Sequence, residues 1–271
     1  MSGLSPNHQT SDNGQDGNAG NDRFNAEAAA WDSNPFVHAM SLEAWKAVQN
    51  SVPALALQAE QGHSPSQLDV LEIGCGTGLL SLEVAGAVNR LVAVDAAEGM
   101  IEVLSSKLNK ENTQTPKNIT PLAILLEDPE DKRLPPADES NPDGPRLKYD
   151  LILSHLVLHH IPDVGPVLKT MLGCLKPGGT VALTDFEDFG PEARRFHPES
   201  KMDGVERHGI GREWMARLMR EAGFKDVKVE VAWEHTKIVE TFPGEFVGGK
   251  SLDGQGELMK FSYIICLGKR A

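Results

Sequence analysis

Short apolar runs closed by glycine or aspartate alternate along this chain with segments whose apolar residues recur every three or four positions. The first kind suits strands buried on both faces, and the second suits amphipathic helices. Strands are predicted over Leu68–Ile73, Leu91–Asp95 and Ile119–Leu126, with helices from Leu79 and over Glu98–Asn109 between them. That order is a doubly wound α/β pattern. Two further apolar runs begin YDLILSHLVLHHIPD (Tyr149–Asp163) and LKPGGTVALTDF (Leu175–Phe186). A helix over Arg212–Gly223, ended by its glycine, then leads to strands over Phe224–Trp233 and Met259–Leu267. These last two are read as an antiparallel pair at a sheet edge, joined by the glycine-rich segment Pro243–Gly256.

Upstream, Phe24–Trp31 and Met40–Ala59 have helical spacing broken near Asn34-Pro35, which predicts an N-terminal helical cap over a crevice. Trp31, Phe36 and Trp45 either roof an acceptor pocket there or pack as ordinary core. Residues Met1–Asp22 hold almost nothing apolar, too little to offset the entropy of ordering, and are expected to form a disordered tail. The Pro-rich, acidic stretch between Glu127 and Arg146 is longer than an ordinary connection and is expected to run over the surface. The expected organisation is one domain over 23–271: a cap (23–62), a cofactor-binding core (68–185), and acceptor-side loops with the terminal strands (186–271).

Composition narrows the class. A chain of 271 residues with 40% hydrophobic content can bury one substantial core. Its three cysteines, Cys75, Cys174 and Cys266, are widely separated, and no CxxC or His-Cys ligand spacing occurs, so neither a disulfide framework nor a metal is expected. No apolar stretch approaches a membrane span, and the N-terminus lacks a signal-peptide layout. The expected location is the cytoplasm, with the nucleus as the alternative. A formal net charge of −13 weighs against direct nucleic-acid binding.

The densest chemistry lies in VLEIGCGTGLLSL (Val70–Leu82), where Gly74, Gly76 and Gly78 follow a strand and open a helix. Glycines there let the backbone turn sharply and approach a ligand where a Cβ would collide. A dinucleotide fingerprint would need glycine at position 79, which is Leu79, and Glu72 would repel a pyrophosphate. A carboxylate suits a cationic ligand instead. About 20 residues beyond the glycines, Asp95 ends the second strand, placed either to hold a ribose or to cap the next helix.

The run Glu72-x-Gly74-x-Gly76-x-Gly78, with YDLILS, HHIPD and LKPGG-TVALTDF in this order, resembles class I S-adenosylmethionine-dependent methyltransferases. The likeness covers about Phe24–Ala271 and is nearest the ubiquinone and menaquinone biosynthesis (methyltransferase type 11) branch and its fungal-type relatives, which share FNAEAAAWDSNP. It implies a mostly parallel, seven-stranded, Rossmann-like sheet with an antiparallel last strand. It also implies S-adenosyl-L-methionine held by Glu72, Gly74, Cys75, Gly76, Gly78 and Asp95. Ala96 and Met100 would flank the adenine, and Ser154 would lie on the cofactor side. Asp128 resembles the acidic residue that accepts from the adenine amino group, with a solvated charge run as the competing reading.

Methyl transfer from a sulfonium is an in-line displacement that rests chiefly on alignment, with a base needed where an oxygen or carbon acceptor must lose a proton. His155 leads as that base, and His159 is second. For His159 and His160, packing or capping at a helix start competes with catalysis. Asp185 and Glu187 could orient a substrate. Glu206 and His208, in GVERHGIGREW, either line the pocket or simply lead into a helix. The acceptor expected is a small molecule methylated on oxygen or carbon, with a protein acceptor as runner-up. A regulatory subunit contacting a protein partner through the tail or the acidic insertion is the alternative from another class.

Overall fold

The computed structural model describes residues 18–56, 66–110 and 115–271, so most of the expected tail, residues 1–17, lies outside them. The tail was drawn too long: helix α1 (Asn18–Trp31) begins inside it. Its later half supplies the reason, since Phe24, Ala28 and Trp31 pack on Ala97 and Met100 and anchor the whole helix. Helix α2 (Pro35–Ser51) starts where the sequence pattern breaks, with proline in its first turn and the Asn34 side chain accepting from Phe36 N at 3.0 Å. The expected continuation of α2 to Ala59 runs partly outside the described residues.

Then follow β1 (Asp69–Ile73), α3 (Leu79–Ala85), β2 (Arg90–Asp95), α4 (Glu98–Leu108), β3 (Ile119–Ala123), β4 (Tyr149–His155), α5 (Val164–Cys174), β5 (Leu175–Phe186), α6 (Arg212–Ala222), β6 (Lys225–Val239) and β7 (Glu257–Lys269). They build one seven-stranded sheet in the order β3-β2-β1-β4-β5-β7-β6. Strands β1 to β5 pair in parallel, and β7 runs antiparallel to both β5 and β6. Order reverses between β1 and β4, which is where open α/β sheets hold their ligands.

Alternate residues of each inner strand feed two cores. Val70, Leu91, Ala93, Leu151 and Leu153 face Trp45 and Val48 of α2 and Leu104 of α4. Their neighbours Leu71, Val92, Val94 and Ile152 face Leu168 and Met171 of α5 and Met215 and Met219 of α6. Central β1 is buried at every position, as a strand covered on both faces must be, yet it carries Glu72. The outermost strands differ: β3 tolerates Pro121, and β6 is largely exposed.

The acidic insertion runs mostly over the surface, as expected, but Leu134 and Arg146 tie it to the core. Ile124 and Leu126 leave the sheet, which shortens β3, and join Leu134 and Leu147 in the core. Arg146, 3% exposed, folds the loop around itself by donating to the carbonyl oxygens of Leu134 at 3.1 Å and Pro142 at 2.5 Å. Among the described residues, no helix is long and apolar enough to cross a membrane.

Candidate functional site

The glycine turn leaves β1 in left-handed backbone, with φ of 73° at Gly74 and 54° at Gly76. These two glycines have different reasons. A Cβ at Gly74 would lie 2.3 Å from a Val157 methyl, so that position closes the turn against the segment that follows β4. At Gly76 nothing lies within 4 Å of where a Cβ would be. The open face at Gly76 is the part of the turn a ligand can approach. Cys75 is buried behind it, and its thiol is pushed well above the usual range by burial.

Asp95 ends β2 against this turn. One carboxylate oxygen accepts from Gly76 N and the other from Ala97 N, each at 2.8 Å. Asp95 therefore ties the glycine turn to the residue before α4, and the helix itself has no side-chain cap. Burial pushes its pKa up against those two hydrogen bonds. Glu72, 2% exposed, accepts from Ser81 Oγ at 2.6 Å. Burial pushes its carboxyl up to about 8, Ser81 opposes that, and the neighbouring charge of Asp95 adds to it.

Helix α1 lies over the β2 end. Met100 is 2% exposed and packs with Ala28 and Ala97, flanked by Phe24 and Trp31, while Ala96 is half-buried. Thr77 Oγ1 donates to Asp32 at 2.5 Å, and Lys107 donates to the Thr77 carbonyl at 2.7 Å while pairing with Asp32. The α1–α2 corner is thus pinned to the glycine turn. Trp45 is core, 8% exposed, whereas Phe36 is half-buried against Phe196 and His235.

Three expected contacts are placed differently. Ser154 is 2% exposed and spends its hydroxyl on Ile73 O at 2.8 Å, tying β4 to β1. Asp128 is exposed beyond the end of β3, and its carboxylate accepts from Glu130 N at 2.8 Å within its own turn. Asp185, read as a substrate contact, is 0% exposed, and its oxygens accept from His159 Nδ1 at 2.8 Å, His159 N at 3.2 Å and Phe186 N at 2.8 Å. It is a support for His159. Glu187, 8% exposed, is paired with Arg212 at 2.5 Å, Glu206 is exposed, and His208 is half-buried with Nδ1 unpartnered.

Beside the glycine turn, β4 ends in His155. Its Nδ1 bonds Thr184 Oγ1 at 2.9 Å, its Nε2 is buried with no partner, and burial holds its pKa down to about 4. Leu156 follows with φ of 56°, a left-handed conformation that costs a branched residue free energy and occurs where a chain must turn at a site. Trp233 and Tyr263 stack at 4.8 Å, with Trp233 tilted over His155 at 6.4 Å. Neither strained Leu156 nor these two rings stood out in the sequence. An apolar strand pattern hides both, as it hides Leu125, which lay within the predicted strand Ile119–Leu126 and is exposed next to Ile124, whose N–H donates to Asp95 O.

Residues 41–229 match the family profile described as Methyltransferase domain, and the chain belongs to that family, within the class I S-adenosylmethionine-dependent methyltransferases. S-adenosyl-L-methionine is the cofactor of the class. The chain is similar to a malonyl-[acyl-carrier protein] O-methyltransferase of Acetivibrio thermocellus, with 29% identity over 55% of this chain and 46% of that one. It is 28% identical to an uncharacterised methyltransferase of Schizosaccharomyces pombe over 60% of this chain and 56% of that one. A ubiquinone biosynthesis O-methyltransferase of Bradyrhizobium diazoefficiens is 30% identical over 43% of this chain and 39% of its own. The chain therefore spans about half the length of the curated relatives it matches. Among solved structures, a Haloferax volcanii methyltransferase complexed with the Trm112 activator has a TM-score of 0.56 at 16% identity, covering 92% of this chain and 96% of that one. A Thermotoga maritima S-adenosylmethionine-dependent methyltransferase gives 0.53 at 17% identity, covering 92% and 98%. At that identity the shared property is the fold.

Proposed function

We propose that this protein transfers the methyl group of S-adenosyl-L-methionine to a small-molecule acceptor, on oxygen or carbon. The observation that carries the reading is the open backbone face of Gly76, whose N–H is held by the Asp95 carboxylate, just beyond the Glu72-bearing strand at the reversal point of the sheet. An adenosyl group with cationic amino and sulfonium centres suits that combination, and a pyrophosphate does not. Gly74 and Gly78 shape the turn, Cys75 backs it, and Asp95 holds the sugar with lone pairs not used by Gly76 and Ala97. Exposed Leu125, next to the strand end where Ile124 N donates to Asp95 O at 2.8 Å, offers an apolar face to the purine. Asp128 is left out of this set because its carboxylate is committed to its own turn.

When bound, the cofactor supplies an activated methyl on a good leaving group. The chain's own part is alignment and removal of a proton. His155 is the leading base: it is neutral near pH 7, and its Nε2 lies unpartnered at the end of β4. His159, gripped by Asp185, is the second candidate. The oxygen acceptor is supported by relatives named as O-methyltransferases. We place the protein in the cytoplasm, with the nucleus as the alternative, and acting without direct contact to nucleic acid.

Incubating the full chain with methyl-labelled cofactor and cell extract, then separating small molecules from macromolecules, tests the reading. Label is expected in the small-molecule fraction and not with Asp95→Ala. Label confined to protein would replace the acceptor class. Cofactor binding without transfer, restored by an added protein, would replace enzyme by regulatory subunit.

A further inference from the structure

Outside the glycine turn, the densest cluster of unmet polar groups is imidazole. His159 and His160 sit in the 3-10 turn after β4, and His197 directly follows a second 3-10 turn over Pro191–Phe196. One nitrogen of each lies within 4.8 Å of the other two. Ring centroids are 3.9 Å apart for His159 and His160 and 5.1 Å for His159 and His197.

We propose that His159, His160 and His197 bind a divalent transition-metal ion of the zinc type through three imidazole nitrogens, leaving a fourth position open. The hydrogen bonds already in place orient the rings for this. The Asp185 carboxylate only accepts, so His159 Nδ1 carries the proton it donates, and the lone pair is left on Nε2, which is buried without a partner. The Gly204 carbonyl likewise accepts from His160 Nδ1 at 2.7 Å, which again leaves the lone pair on Nε2. His197 Nδ1 is buried and unpartnered. A metal-bound histidine characteristically donates its other N–H to a carboxylate or a backbone carbonyl, and here one ring has each kind of partner.

Energetics point the same way. A buried nitrogen with no hydrogen-bond partner is unfavourable, and His159 Nε2 and His197 Nδ1 are two such nitrogens. The Asp185 carboxylate against His159 favours a cation, while the charges of Arg23, paired with Glu27, and of Lys237, which donates to Phe196 O at 2.9 Å, act against it. Phe24, Phe186 and Phe196 surround the rings at 4.9–5.1 Å and give the dry shell that strengthens such bonds. A cavity of about 200 Å³ lined by Arg194, Arg195, His197 and Glu240 adjoins the cluster at His197. Metal–nitrogen bonds of about 2.0–2.1 Å require the three nitrogens to draw closer than their present separations of up to 4.8 Å. Imidazole-only ligation selects zinc, cobalt or nickel over magnesium or calcium. Sequence spacing could not show this site, because His197 belongs to a different segment from the His159-His160 pair.

Tag-free full-length protein, stripped with a chelator, is titrated with Co²⁺ and Zn²⁺. One equivalent should bind with a visible cobalt absorption band of low coordination number, unaffected by excess Mg²⁺. His160→Ala and His197→Ala should abolish that band, and Asp185→Asn should weaken zinc about 10- to 100-fold. X-ray absorption on the wild-type zinc complex should show three nitrogen neighbours, a measurement that stands even where a variant fails to fold. No stoichiometric uptake by the wild type, or a band unchanged in both histidine variants, would overturn the site. Cofactor calorimetry on the same sample separates the two proposals, since cofactor binding without metal uptake ends this one and leaves methyl transfer untouched.

Discussion

At the carboxyl ends of β1 and β2, each carboxylate that faces the glycine turn already has partners from nearby chain: Asp95 takes Gly76 N and Ala97 N, and Glu72 takes Ser81. At the carboxyl ends of β4 and β5, nitrogens of His155 and His159, with His197 and Trp233 close by, are buried with no partner. Leaving such groups unmet is expensive, and a cluster of them at one strand end marks a place for a bound group or for chemistry. The comparison teaches that one end of this crevice is preorganised by local bonds for a ligand of fixed shape, while the other is left incomplete for its ligand to finish.

The largest test of the preorganised end sets two neighbouring glycines against each other. Gly74→Ala combines left-handed backbone with a Cβ 2.3 Å from Val157, so a stability loss of about 3 kcal/mol is expected in urea unfolding. Gly76→Ala carries only the backbone cost of about 1–2 kcal/mol, because the space is open, yet its methyl fills the face a ligand needs. Its signature is a nearly stable protein that no longer binds cofactor. If Gly76→Ala binds normally, that face is not the ligand face.

Next in size, Asp95→Ala should weaken cofactor binding by about 1–3 kcal/mol in calorimetry, through unmet sugar hydroxyls and a loosened turn. An unchanged affinity would reduce Asp95 to a brace of the glycine turn.

Glu72 gives a smaller, pH-dependent effect. Its folded pKa of about 8 lies above the ordinary carboxylate value, so the folded state holds an extra proton between pH 4.5 and 8. Stability should therefore fall as pH rises through that window, by at most about 1.4 kcal/mol per unit, and Glu72→Gln should remove this slope. A cationic ligand favours the ionised carboxylate, so cofactor affinity should climb with pH towards 8. A flat profile in calorimetry between pH 6 and 8 would detach Glu72 from the ligand.

Legibility in the sequence follows the same divide. Strand alternation, the glycine turn, Asp95 and the Asn34-Pro35 break could be read directly because each is a contiguous stretch whose period or spacing records its environment. The antiparallel end strands β6 and β7 were also visible, though both run longer than their apolar patterns. What could not be read is the partner of each polar side chain. Asp185 and Ser154 were placed at the right strand ends, but their burial against His159 and Ile73 depends on neighbours from other strands. The acidic insertion was legible as a surface excursion, but a Pro-rich, charged stretch gave no sign that Arg146 would gather its carbonyls into a folded loop.

The smallest expected effect is the most discriminating for the adenine end. Asp128 is solvent-exposed, and its oxygen accepts from Glu130 N at 2.8 Å, so its side chain is occupied in a turn of the kind aspartate commonly forms. Truncating it in Asp128→Ala should cost about 0.5–1 kcal/mol of stability, in keeping with loss of one side-chain-to-backbone bond. Cofactor affinity should stay within about twofold of wild type, a difference below roughly 0.5 kcal/mol. Leu125→Ser, one turn of chain earlier, should weaken binding more, because it removes an apolar face without touching the Asp128 turn. A tenfold loss of affinity in Asp128→Ala with Leu125→Ser silent would reverse the assignment, and would mean that the loop rearranges on binding so that the carboxylate leaves Glu130 for the adenine amino group.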